Sequence, residues 1–118
     1  MATILIMDEE ADSRMLLKRV LELNGHQVTA CRDPEEALAQ ATERPFDLAV
    51  LNIPTGSGRA AGLPAGLRAS VDGLKVMTIA DYGPHRDAPG VMEDDVLFRP
   101  VELEAIEAKV RELLPSEE

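Results

Sequence analysis

The chain is poor in aromatic residues: it has no Trp, one Tyr and two Phe among 118 positions. Its core must therefore be aliphatic, drawn from Leu, Val, Ile, Ala and Met. Cys31 is the single cysteine, which rules out an intrachain disulfide and fits a reducing compartment. Bases are scarce as well. Twelve Lys and Arg against 22 Asp and Glu leave a net charge of −10, a surface that repels phosphate backbones and sets nucleic-acid binding aside. No apolar run approaches the roughly 20 residues needed to cross a bilayer. Ile4 to Met7 is cut short by Asp8, Glu9 and Glu10, so it does not read as a signal peptide. One soluble, cytoplasmic domain over residues 1–118 is expected. Pro115-Ser116-Glu117-Glu118 reads as a solvated tail or a cut linker.

What is present is an alternation of strand and helix patterns. Thr3 to Met7 (TILIM) is a continuous apolar run, the mark of a strand buried on both faces. Ala11 to Asn24 has helical spacing, with Leu17, Val20, Leu21 and Asn24 along one side, and Gly25 supplies the stop. Gln27 to Cys31 reads as a second strand. Asp33-Pro34-Glu35-Glu36 then opens a helix, with Asp33 as cap, Pro34 at the first helical position and Glu36 closing a capping box. That helix turns Ala37, Leu38 and Ala41 inward. Phe46 to Leu51, Leu74 to Ile79 and Val96 to Phe98 are the remaining strands. Residues 54 to 68 predict a loop and a broken helix ending near Ser70. Val101 to Leu114 closes the chain as a helix with Leu103, Ile106, Val110 and Leu113 or Leu114 buried.

About five such alternations imply parallel strands joined by right-handed crossovers, with helices on both faces. Ligands of such sheets bind beyond the carboxyl ends of the strands. Asp8, Glu9, Asn52, Ala80 or Asp81, and Arg99 gather there. The third strand, in FDLAVLNI, thus delivers a neutral amide, Asn52, to the place where a carboxylate would be the usual group.

The segments ILIMDEEAD, DLAVLNIP, VMTIAD and DDVLFRPVELEAI, in this order and spacing, resemble the receiver domain of bacterial response regulators over essentially the whole chain. The resemblance implies a flavodoxin-like, doubly wound α/β fold with a five-stranded parallel sheet of order 2-1-3-4-5. It also implies a role in two-component (phosphorelay) signalling. In that family an acidic pair holds Mg²⁺, an Asp after the third strand accepts a phosphoryl group, and a hydroxyl and a Lys contact its oxygens. Carried over, the acidic pair is Asp8 and Glu9, the acceptor position is Asn52, and the hydroxyl position is Ala80, or Thr78 if the alignment slides by two. The Lys position is Arg99, followed by Pro100, where a cis peptide is expected. The aromatic switch position is Val96.

Three of these replacements alter the chemistry. An acyl phosphate forms when a carboxylate oxygen attacks phosphorus beside a metal ion. An amide carries no charge, is a poor nucleophile and a weaker ligand for a hard cation, though it still hydrogen-bonds through both ends. Ala80 has no hydroxyl to follow a phosphoryl group. Arg99 keeps the charge in a planar fork suited to carboxylates, and it is expected to bridge Asp8 or Glu9 in place of a metal. The chain therefore reads as a pseudo-receiver: no enzyme, no cofactor beyond weak Mg²⁺ at Asp8 and Glu9, and a phosphorylation-independent protein-interaction module.

The stretch DYGPHRDAPGVMEDD, with Pro84 and Pro89 close together, forbids a regular helix of normal length between the last two strands. An interaction surface is expected there and on the fifth strand, at Tyr82, His85, Val96 and Phe98. Its partner would be a histidine kinase, a regulator, an effector or a second copy of the chain, and not a membrane. Two other readings stay open: an active receiver phosphorylated at an atypical residue, and a metal or small-ligand sensor using the acidic pocket. Lesser motifs fail in detail. The Gly56–Gly62 segment has no following Lys-Ser or Lys-Thr for a phosphate loop. Ser57 lacks the glycine of a nucleophile elbow. His26 and His85 have no partner at metal-ligand spacing.

Overall fold

The computed structural model describes residues 2–53, 62–81 and 94–114. Its nine elements are β1 (Thr3–Asp8), α1 (Ala11–Leu23), β2 (Gln27–Cys31), α2 (Pro34–Glu43), β3 (Leu48–Asn52), α3 (Leu63–Ser70), β4 (Lys75–Asp81), β5 (Asp95–Arg99) and α4 (Leu103–Leu113). The strands pair in parallel in the order β2-β1-β3-β4-β5. This is the expected doubly wound arrangement.

Successive side chains of a strand point to opposite faces, and the two faces of this sheet are both covered. Leu5, Met7, Ala49, Leu51 and Val76 face α2 and α3 through Ala37, Ala41, Leu63 and Leu67. Ile4, Ile6, Leu48, Val50, Met77 and Ile79 face α1 and α4 through Leu17, Leu21, Ile106 and Val110. An aliphatic core on each side explains why the central strands read as continuous apolar runs rather than alternating ones. Gly66 lets α3 lie close to α2: a methyl group there would stand 3.1 Å from Leu38 Cδ2.

The local signals act as read, with small corrections. Gly25 ends α1 with φ of 95°, a left-handed conformation. Asp33 caps α2 by accepting from the Glu36 amide at 2.8 Å. Glu36 in turn accepts from the amide of Arg32, at 3.2 Å, rather than from Asp33 itself. Asn24 is not on the buried stripe of α1; it is exposed and donates to Glu107 at 2.9 Å. The third strand starts at Leu48, two residues later than expected, while Phe46 is buried ahead of it. The stretch expected to hold a short helix or none between the last two strands, together with Tyr82, His85 and the glycine-rich stretch before Gly62, lies outside the described residues.

Candidate functional site

Parallel pairing puts the strand ends side by side. Asp8 is in register with Asn52, Asn52 with Ile79, and Asp81 with Arg99. Alternation along β1 and β3 turns Asp8 and Asn52 toward the α1 side, because Ile6 and Val50, two residues earlier, belong to that face. The result is a cleft of about 550 Å³ lined by Asp8, Glu9, Glu10, Ser13, Asn52, Asp81 and Arg99.

Asp8 is 3% exposed, and both of its carboxylate oxygens are engaged. One accepts from the Glu10 amide at 2.9 Å and the other from Asn52 Nδ2 at 3.0 Å. Its carbonyl oxygen accepts from Arg14 Nη1 at 2.9 Å. Asn52 Nδ2 also reaches Ser13 Oγ at 3.2 Å, while Asn52 Oδ1 accepts from Arg99 Nη1. Only one orientation of the amide satisfies this set, since a guanidinium has donors alone and a carboxylate acceptors alone. An aspartate at position 52 could accept from Arg99 but could not donate to Asp8. That is the local reason for an amide here.

Arg99 completes the chain of contacts. Its Nε donates to Asp81 Oδ1 at 2.8 Å, Nη2 to the Ile53 carbonyl, and Nη1 also to the Ile79 carbonyl at 3.4 Å. The expected pairing with Asp8 or Glu9 is thus corrected: among the described residues the guanidinium pairs with Asp81 and touches Asp8 only through Asn52. The physical reason is register. Asp81 sits directly opposite Arg99 on the neighbouring strand, whereas Asp8 is three strands away, with β4 and β3 between them. The Arg99–Pro100 peptide is cis, as expected.

Neither residue expected at the hydroxyl position lines the cleft. Thr78 is in register with Leu51, one step below the strand end, and is 2% exposed. Its Oγ1 is buried and has no hydrogen-bond partner among the described residues. Ala80 is buried as well, and the side chain that does reach the cleft from β4 is Asp81. Val96 is 9% exposed and so is not part of an accessible side-chain surface, a second correction; Phe98 is half-buried. Cys31 ends β2 at the same edge, but burial, followed by the charges of Glu36 and Asp33, pushes its thiol up to about 12. It is no nucleophile at neutral pH.

Comparison with known proteins agrees with this fold. Residues 4–111 match the response regulator receiver domain. The transcriptional regulatory protein PrrA of Mycobacterium tuberculosis is 31% identical over 114 residues, covering 94% of this chain and 49% of the relative. The two-component response regulator PhoP of Pseudomonas aeruginosa is 30% identical over 116 residues, covering 94% and 51%. The chain therefore spans about half the length of the curated relatives it matches. Among solved structures, the response regulator TrrA of Thermotoga maritima, in complex with Mg²⁺ and BeF, superposes with a TM-score of 0.82 at 25% identity. That match covers 97% of this chain and all of the other. Chemotaxis response regulator CheY4 of Vibrio cholerae reaches 0.84 at 19% identity, over 97% and 99%, which speaks for the fold alone. The chain belongs to the response regulator receiver domain family.

Proposed function

We propose that this receiver works without phosphorylation, as a cytoplasmic protein-binding module of a two-component system and not as an enzyme. The observation that carries the reading is the amide at the end of β3, hydrogen-bonded at both ends. Asn52 has no oxygen anion to attack phosphorus, its carbonyl oxygen is held by Arg99, and its nitrogen is held by Asp8 and Ser13. No hydroxyl from β4 lines the cleft to follow a phosphoryl group.

A binding role is supported by the surface of α1, which the sequence pattern did not single out. Met15, Leu16 and Leu23 are 68%, 53% and 76% exposed. Leu16 and Leu23 stand seven residues apart on one side of the helix that also carries Ser13 into the cleft. The partner is a histidine kinase, regulator or effector protein. Incubation with Mg²⁺ and acetyl phosphate, followed by intact-mass measurement, tests the reading: the mass stays unchanged. A gain of one phosphoryl group, removable by hydroxylamine, would show an active receiver with an atypical acceptor instead.

A further inference from the structure

We infer that Arg99 is the built-in cation of the cleft, held there by Asp81, and that its guanidinium and a divalent metal ion are mutually exclusive occupants. The inference rests on the same site as the proposed function but concerns its regulation by cations, not its phosphate chemistry.

The cleft gathers the carboxylates of Asp8, Glu9, Glu10 and Asp81 around one guanidinium. Such a concentration of negative charge requires a cation, and the chain supplies one covalently. The fork of Arg99 is satisfied by four acceptors, from β4 and from the end of β3 and the residue after it: Asp81 Oδ1, Asn52 Oδ1 and the carbonyls of Ile53 and Ile79.

The remaining ligand chemistry does not fit a hard divalent ion. Mg²⁺ needs oxygen atoms free to turn toward it in near-octahedral geometry at about 2.1 Å. Both Asp8 oxygens already accept hydrogen bonds, and the only oxygen of the Asn52 amide points at Arg99. No group of three His, Cys, Asp or Glu side chains among the described residues could hold a metal ion. A metal entering here must expel the guanidinium and reorient the amide. A tethered competitor acts at an effective concentration of order millimolar or above, so free metal competes at a disadvantage.

Asp81 is the positioning residue in this arrangement. It lies opposite Arg99 in the β4–β5 pairing and takes the Nε–H, leaving the two terminal nitrogens to face Asn52 and the β3 and β4 carbonyls. The cation thereby ties the ends of β3, β4 and β5 together.

Calorimetric Mg²⁺ titration of the wild-type chain, Arg99→Gln and Arg99→Lys, with the Arg99 Nε–H resonance followed in the wild type, tests this. Arg99→Gln should bind Mg²⁺ roughly tenfold or more tightly than wild type, and Arg99→Lys, a point charge without the fork, should fall between. The wild-type Nε–H resonance should stay in place as Mg²⁺ is added. Equal affinity in wild type and Arg99→Gln, whether tight or undetectable in both, would overturn the inference. If Arg99→Gln does not fold, the Lys variant carries the same comparison. Wild-type Mg²⁺ binding as tight as that of Arg99→Gln, without any acetyl-phosphate adduct, would defeat this inference alone, whereas an adduct would defeat the proposed function.

Discussion

Replacing Asn52 by Asp is nearly isosteric, and it separates the charge terms of the cleft from the hydrogen-bond term. The new carboxylate would lie about 3.0 Å from Asp8 Oδ2 and about 2.5 Å from Arg99 Nη1, the distances the amide now holds. At an effective dielectric constant near 20, the repulsion and the attraction are each about 5–7 kcal/mol and of opposite sign. They largely cancel. What is left is the donor lost to Asp8, a hydrogen bond to a charged group, which contributes about 2 kcal/mol. The variant should therefore be less stable than the parent by about 2 kcal/mol at pH 7 in chelator, read by urea unfolding followed by circular dichroism, as the chain has no Trp. A proton shared between positions 8 and 52 would restore the donor. The folded variant would then hold a proton that its unfolded chain has released above about pH 4, so its deficit narrows as pH falls. Added Mg²⁺ should also narrow it, because the pair of carboxylates now offers the metal free charge, while acetyl phosphate should still react slowly without a hydroxyl from β4. A variant as stable as the parent at neutral pH, or one whose deficit widens on acidification, would refute this reasoning.

Other outcomes follow from the packing and the surface charges. Leu21 is 1% exposed between α1 and the sheet, so Leu21→Ala should cost about 2–5 kcal/mol in urea unfolding. Asp95 accepts a hydrogen bond from Lys109 that holds its carboxyl below the usual 3.8, against a smaller opposing effect of burial. The stability this adds is full above pH 3.8 and is lost as pH falls through the lower folded value. Lys109→Gln should accordingly remove part of the acid limb of the stability curve and leave its shape near neutrality unchanged. The Cys31 thiol, fully buried and raised to about 12, should react with a disulfide reagent only as fast as the protein opens, and quickly in denaturant.

The fold was legible because its signals are local and agree with one another. ILIM and LAVL are apolar at every position, as strands covered on both faces must be, and Gly25 and Asp33-Pro34 punctuate the helices beside them. The positions of Asp8, Asn52 and Arg99 were legible for the same reason: each is the polar residue that ends an apolar strand. Their partners were not. Arg99 could be seen to need a carboxylate, but choosing Asp81 over Asp8 requires the β4–β5 register, which depends on chain pairing across a long crossover. Asp81 was legible at this sheet edge as an alternative to Ala80, but not as the partner of the arginine that ends β5. The apolar outer side of α1 was hidden by its inner one, since Leu16 and Leu17 are adjacent in sequence yet one is exposed and the other buried.

The account turns on a cleft already closed by the Asp8–Asn52–Arg99–Asp81 chain of hydrogen bonds. Its most direct test is an amide chemical-shift titration of the native protein with Mg²⁺ and beryllofluoride, a phosphoryl mimic. Resonances of Asp8, Asn52, Asp81 and Arg99 should remain where they are. Saturable shifts centred on those residues would contradict the account.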